Sequence, residues 1–118
     1  MILVDTSVWI EHLSRRSSRM HSLIEQRRVL QHPFVTGELA CGHLGDRKRV
    51  LRDIVGLPRA PIVELERVLD LLEEERLFGL GLAWVDVHLL ASARTSRTPI
   101  WTLDRALYRA AARLGLAA

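Results

Sequence analysis

Four acidic side chains stand out by where they fall in the chain. Asp5 closes the run ILVD, Glu38 lies in FVTGELACG, Asp86 lies in LAWVDVHLL, and Asp104 closes PIWTLD. Asp5 and Asp104 each follow an apolar strand and precede a helix, the corner where open α/β sheets gather ligands and catalytic groups. Glu38 and Asp86 are carboxylates among apolar neighbours, and burying an ionised carboxylate alone is costly. Neither has a basic residue at i+3 or i+4, where a helix ion pair would form; Cys41 and Gly42 follow Glu38, and Leu89 and Leu90 follow Asp86. The plainer alternative is that both are solvated helix acids.

Four converging carboxylates raise one another's pKa when no cation is present. A hard divalent cation removes that penalty, since Mg²⁺ takes oxygen ligands and keeps water, and Mn²⁺ suits the same all-oxygen site. No His-x-x-x-His or cysteine pair accompanies the acids, so zinc suits the set less well. A carboxylate-held Mg²⁺ lowers the pKa of a water and stabilises charge on a phosphoryl oxygen, which is what phosphodiester hydrolysis requires. The hydroxyls of Thr6, Ser7 and Thr102 are candidates to orient a carboxylate or a water, with helix capping as the alternative for Thr6 and Ser7.

The elements that must position these groups follow from periodicity. Met1 to Val4 reads as a buried parallel strand and Val8 to Leu13 as a helix, with a polar break at Arg15, Arg16, Ser17, Ser18 and Arg19. Met20 to Gln26 is expected to be a second helix, and Arg28 to Gln31 a short strand entering Pro33. The helix carrying Glu38 has glycines at 37, 42 and 45 that would permit close packing. Asp46 is expected to cap a helix running to Ile54, and Glu64 to Arg76 has a clear 3.6-residue rhythm, with apolar residues at 65, 68, 69 and 72.

From Leu82 a helical segment places Val85, Leu89 and Ser92 on one side, and Asp86 and Leu90 on another. TPIWTLD reads as a strand ending at Asp104, followed by a final helix. Strands alternating with helices favour a small three-layer α/β domain with a parallel sheet, one domain over residues 1–118.

Composition narrows the classes further. With 118 residues and 48% apolar content, the chain can bury a real core. One cysteine, Cys41, excludes an intrachain disulfide framework and is expected to be a small buried side chain. Asp5, Glu11 and His12 interrupt any signal-like apolar region, and no segment nears the roughly 20 apolar residues of a membrane span, so a soluble cytoplasmic protein is expected.

The net charge is +3, and Lys48 is the only lysine beside sixteen arginines. Planar guanidinium suits phosphate partners; Arg15, Arg16, Arg19 and Arg105 are candidates, and Arg47, Lys48, Arg49 and Arg52 read equally well as the wet face of a helix. The five histidines show no ligand spacing, and His88 is expected to be partly buried or at the rim near Asp86. Trp9, Trp84 and Trp101 read as core or interface aromatics.

Taken together and in order, MILVDTSVWIEHL, VTGELACG, WVDVHLLASA and IWTLD resemble the PIN domain, closely the VapC-type toxins of bacterial and archaeal toxin–antitoxin pairs. The likeness runs from Ile2 to about Leu114. It implies a small parallel sheet flanked by helices and an endoribonuclease dependent on Mg²⁺ or Mn²⁺ that cuts tRNA or other structured RNA. It makes Asp5, Glu38, Asp86 and Asp104 the metal-binding and catalytic acids, with Thr102 and Thr6 or Ser7 as supporting hydroxyls. It also implies a homodimer and a cognate VapB-type antitoxin through which DNA is bound only indirectly.

Some members carry a further acid two positions after the last; here that position is Ala106. The competing enzyme classes fit less well. A receiver domain needs an acidic pair after the first strand, a haloacid-dehalogenase-like phosphatase needs an acid where Ser7 stands, and dinucleotide binding needs a glycine-rich turn at Asp5–Ser7. A serine hydrolase lacks its G-x-S-x-G elbow. The non-enzyme alternative is a catalytically silent PIN-like module that binds RNA or protein.

Overall fold

Leu3 and Val4 are apolar on both faces of the chain, as a strand covered by helices on both sides must be. They lie in β1 (Ile2–Val4) at the centre of a parallel sheet of order β2-β1-β3, where β2 is Val29–Leu30 and β3 is Ile100–Trp101. Ile2 and Leu3 pair with Val29 and Leu30 on one side, and Leu3 and Val4 pair with Ile100 and Trp101 on the other. The computed structural model describes all 118 residues.

Single parallel bridges, Gln31 to Arg59 and Ile100 to Ala117, cover the two outer edges and satisfy backbone groups that would otherwise be exposed. The chain leaves β1 first for β2 and later returns to the opposite side for β3. The reversal therefore falls between β1 and β3, the place where sheets of this order bind ligands beyond their carboxyl ends.

The helices are α1 (Thr6–Arg15), α2 (Ser18–Glu25), α3 (Pro33–Cys41), α4 (Arg47–Val55), α5 (Leu65–Glu74), α6 (Trp84–Ser96) and α7 (Arg105–Arg113). Twenty-six buried apolar residues form one contiguous cluster. The strands supply Leu3, Val4, Val29 and Ile100, and the helices supply Val8, Met20, Val35, Val68, Leu89, Leu90 and Leu107 among others. α6 and α7 both pack on β3, which holds the starts of these two helices near the end of that strand.

Several local expectations need correction. The polar break shrinks to Arg16 and Ser17, because the Ser17 hydroxyl accepts from the Met20 N–H and starts α2 two residues earlier. β3 stops at Trp101, so the strand does not reach Asp104; Thr102 and Leu103 form the turn, and Asp104 is the N-cap of α7. Asp46 stands at the start of α4 in a left-handed conformation (φ 51°) with no capping bond, its carboxylate held instead by Arg49 at 2.6 Å.

α6 has no single apolar stripe: every residue from Val87 to Ala93 is buried, and the Ser92 hydroxyl is satisfied by donating to the Pro61 carbonyl at 2.6 Å. Gly37 and Gly45 have nothing within 4 Å of where a Cβ would stand, so close packing does not explain them. Cys41 is exposed rather than buried, since it falls on the last, outward-facing turn of α3. On α5, Val68 and Leu71 enter the core while Leu65 and Leu69 remain exposed.

Candidate active site

Three of the four acids sit at helix starts. Asp5 is the N-cap of α1, Asp86 is the third residue of α6, and Asp104 is the N-cap of α7. The positive ends of three helix dipoles thereby face the same cluster of anions, offsetting part of their mutual repulsion. The fourth acid, Glu38, projects from the middle of α3, which packs against α1.

Asp5 is the most firmly held. It is 6% exposed, and its Oδ2 accepts from the Ser7 hydroxyl at 2.8 Å and the Thr102 hydroxyl at 2.6 Å. Those hydroxyls in turn accept from the turn after β3, Ser7 from the Leu103 N–H at 2.9 Å and Thr102 from the Asp104 N–H at 2.9 Å. Two relays thus tie the end of β1 to the end of β3. Ser7 is therefore not a helix cap, and neither is Thr6, whose hydroxyl donates to Glu38 Oε1 at 2.9 Å and joins α1 to α3.

The remaining acids follow the same pattern. Asp86 Oδ2 accepts from the Ala83 N–H at 2.9 Å; Ala83 has no side-chain acceptor to return the bond, so only the acidic half of a reciprocal cap exists. Asp104 Oδ2 accepts from the Leu107 N–H at 2.9 Å. Each of the four carboxylates therefore spends one oxygen on the fold and leaves the other without a hydrogen bond from the chain.

No lysine or arginine pairs with any of them, since every ion pair in the protein involves other acids. Asp86 registers this arrangement electrostatically: burial raises its pKa first, and the charges of Asp5, Asp104 and Glu38 push it further up against the lowering effect of the Ala83 N–H.

The donor chemistry fits a hard divalent cation. The four acids are oxygen-only donors without a counterion, near enough for three of them to raise the pKa of Asp86, and Mg²⁺ needs only one or two carboxylates because it completes its shell with water. No three of these side chains are placed to hold one metal ion together. Ala106, two positions after Asp104, adds no further carboxylate.

Aromatic and basic groups complete the surroundings. Of the two placements open to His88, the structure takes the buried one: it is 6% exposed, wedged edge-on between Phe34 at 4.8 Å and Trp84 at 4.7 Å between ring centroids. Trp84 covers this stack from outside, 43% exposed. His32, fully buried, lies edge-on to Phe34 at 5.1 Å and caps α3, its Nδ1 accepting from the Phe34 N–H at 3.0 Å. The sequence reading missed that cap, although His-Pro before a helix is a visible signal, with proline favoured in the first turn.

Among the arginines, Arg47 donates to the carbonyls of Ala40 and Gly42, and Arg49 pairs with Asp46 and Asp53. Arg19 lies over the Trp101 ring, 4.2 Å from its centroid. Arg105, directly after Asp104 in the chain, makes no side-chain hydrogen bond or ion pair, and neither does Arg15 at the end of α1.

A parallel sheet of order 2-1-3, with an acid directly after its first strand, another in the turn after its last, and three acids at helix starts, is the architecture of a PIN domain. The PIN domain description matches residues 2–113, and the chain belongs to that family. It is 42% identical to Ribonuclease VapC32 of Mycobacterium tuberculosis, in both strain CDC 1551 / Oshkosh and strain H37Rv, over 99% of this chain and 95% of that protein. The crystal structure of PAE2754 from Pyrobaculum aerophilum superposes with a TM-score of 0.68 at 18% identity, covering 92% of this chain and 83% of that one, and shares its fold.

Proposed function

We propose that this protein is a metal-dependent endoribonuclease of the VapC type, with Asp5, Glu38, Asp86 and Asp104 holding Mg²⁺ or Mn²⁺. The observation that carries the proposal is that all four acids keep one oxygen free and none has a cationic partner. The chemistry such a cation supplies when bound is charge neutralisation at a phosphoryl oxygen and acidification of a water. The chain's own part is positional. Ser7 and Thr102 fix the Asp5 carboxylate, Thr6 fixes that of Glu38, and the first turns of α6 and α7 fix those of Asp86 and Asp104.

Kinship with the VapC ribonuclease extends the proposal to the partners. The substrate is a structured RNA such as a tRNA, the chain acts as the toxin of a pair, and a VapB-type antitoxin holds it inactive. The active form is a homodimer, and DNA is reached only through the antitoxin. No helix is long and apolar enough to cross a membrane, and a cytoplasmic setting is part of the same proposal.

The test is cleavage of total RNA by purified, antitoxin-free protein with Mg²⁺ or Mn²⁺, against EDTA and Asp5→Asn, with the new ends sequenced. Discrete cuts lost in both controls support the proposal, and a 5′-phosphate at the cut identifies water as the nucleophile. Cleavage by Asp5→Asn at the parent rate, or undiminished in EDTA, would overturn it. A folded protein that binds the metal and RNA but leaves the RNA whole would be the silent binding module.

A further inference from the structure

α7 starts at the acid cluster and carries an arginine on successive turns, Arg105, Arg109 and Arg113. Residues at i, i+4 and i+8 share one helix face, and at 1.5 Å of rise per residue these three span about 12 Å along the axis. All three are exposed. With Leu80, Ala106 and Ala110 they line a groove of about 410 Å³.

Both walls of the groove lead to the acids. α7 itself grows out of Asp104. The opposite wall is the loop before α6, which touches α7 where a Cβ on Gly81 would lie 4.0 Å from the Ala106 Cβ. Two residues later the same loop reaches Ala83, whose N–H donates to Asp86.

The charges on these walls are unpaired. Arg105 and Arg109 make no hydrogen bond or ion pair, and Arg113 donates only to the Glu75 carbonyl. Arg105 directly follows Asp104, yet the two sets of opposite charge do not neutralise each other. Each set is left to find its counter-charge outside the chain, a cation for the acids and an anion for the arginines. A single molecule with regularly spaced phosphates, one of them at the acids, supplies the second, because guanidinium forks match phosphate oxygens.

We infer that the α7 groove is the track for the RNA backbone running away from the cut phosphate, with Arg105 on the nearest flanking phosphate and Arg109 on the next. Arg113 marks the outer end. Leu80, 44% exposed, offers an apolar edge to the sugars. This inference rests on the ribonuclease reading above, and it names residues for binding rather than for chemistry.

The test measures binding and cleavage separately. Fluorescence anisotropy of a labelled, mixed-sequence single-stranded RNA on full-length Asp5→Asn protein, over a range of salt, reports the phosphate contacts without cutting. Each contact contributes about 0.7 to the slope of log K against log salt for single strands. The double variant Arg105→Gln/Arg109→Gln should therefore lower the slope by about 1.4, while Arg67→Gln, an exposed arginine on α5, leaves it alone. Arg105→Lys/Arg109→Lys should keep most of the slope, which a purely structural role would not predict.

In protein with Asp5 intact, the glutamine pair should raise KM for RNA cleavage about tenfold or more with kcat within about threefold, because these contacts bind rather than react. An unchanged slope in the glutamine pair, or an equal loss in Arg67→Gln, overturns the track. Either result alongside intact metal-dependent cleavage leaves the ribonuclease reading standing. An arginine-dependent slope in a protein that never cuts RNA supports the track and removes the nuclease.

Discussion

Acidification should weaken this fold through His32. Its ring is fully buried and its Nδ1 accepts the Phe34 N–H, so the proton of the neutral ring sits on Nε2, which has no partner. Burial, followed by the positive charges of His88 and Arg59, pushes its pKa down from 6.5 to about 4. A proton on Nδ1 would also break the cap of the helix that presents Glu38.

Because the folded pKa is depressed, the unfolded chain takes up the proton first. The contribution to stability is intact above pH 6.5 and is lost as pH falls from there towards 4. Integrating the linkage between pH 7 and pH 5 gives a loss of about 2 kcal/mol from this residue alone. Urea unfolding of the parent and of His32→Asn at both pH values isolates it, since asparagine can cap the helix but does not titrate. Other groups titrate in both proteins, so the quantity to compare is the loss on acidification, which should be about 2 kcal/mol smaller in His32→Asn. Equal losses would refute the reasoning, whatever the variant's absolute stability.

Thr102→Val removes a bond to a charged acceptor and strands the Asp104 N–H, so stability should fall by about 2 kcal/mol in denaturant titration, with cleavage reduced as well; Thr102→Ser should restore both. Asp104→Ser keeps a capping oxygen and should stay within about 0.5 kcal/mol of the parent, yet lose about a hundredfold or more in cleavage rate if its free oxygen serves a cation; activity near the parent's would remove Asp104 from the site. Leu3→Ala, at a fully buried position paired on both sides of the sheet, should cost about 2–5 kcal/mol by thermal or denaturant unfolding. A much smaller loss would mean that the centre of the sheet collapses to fill the space.

The sequence alone determined the kinds of element and singled out the four acids whose role the proposal above rests on. An apolar strand followed by an acid and a helix with a lone carboxylate are local patterns. They survive because backbone periodicity and side-chain polarity act over a few residues. The same local reading failed where contacts are long-range. Cys41 was expected inside and lies outside, His88 was left between a partly buried and a rim position and lies inside, and the Asp104 strand ended early, because burial depends on which elements meet.

Only the tertiary structure decided that β1 and β3 are neighbours. That adjacency lets Ser7 and Thr102, 95 residues apart, hold one oxygen of the same carboxylate. It brings the starts of α1, α6 and α7 to one place and leaves one oxygen of each acid unclaimed. Hydrogen bonds between hydroxyls and acids so distant in the chain have no local signature; they exist because the parallel pairing of two short strands sets their ends side by side.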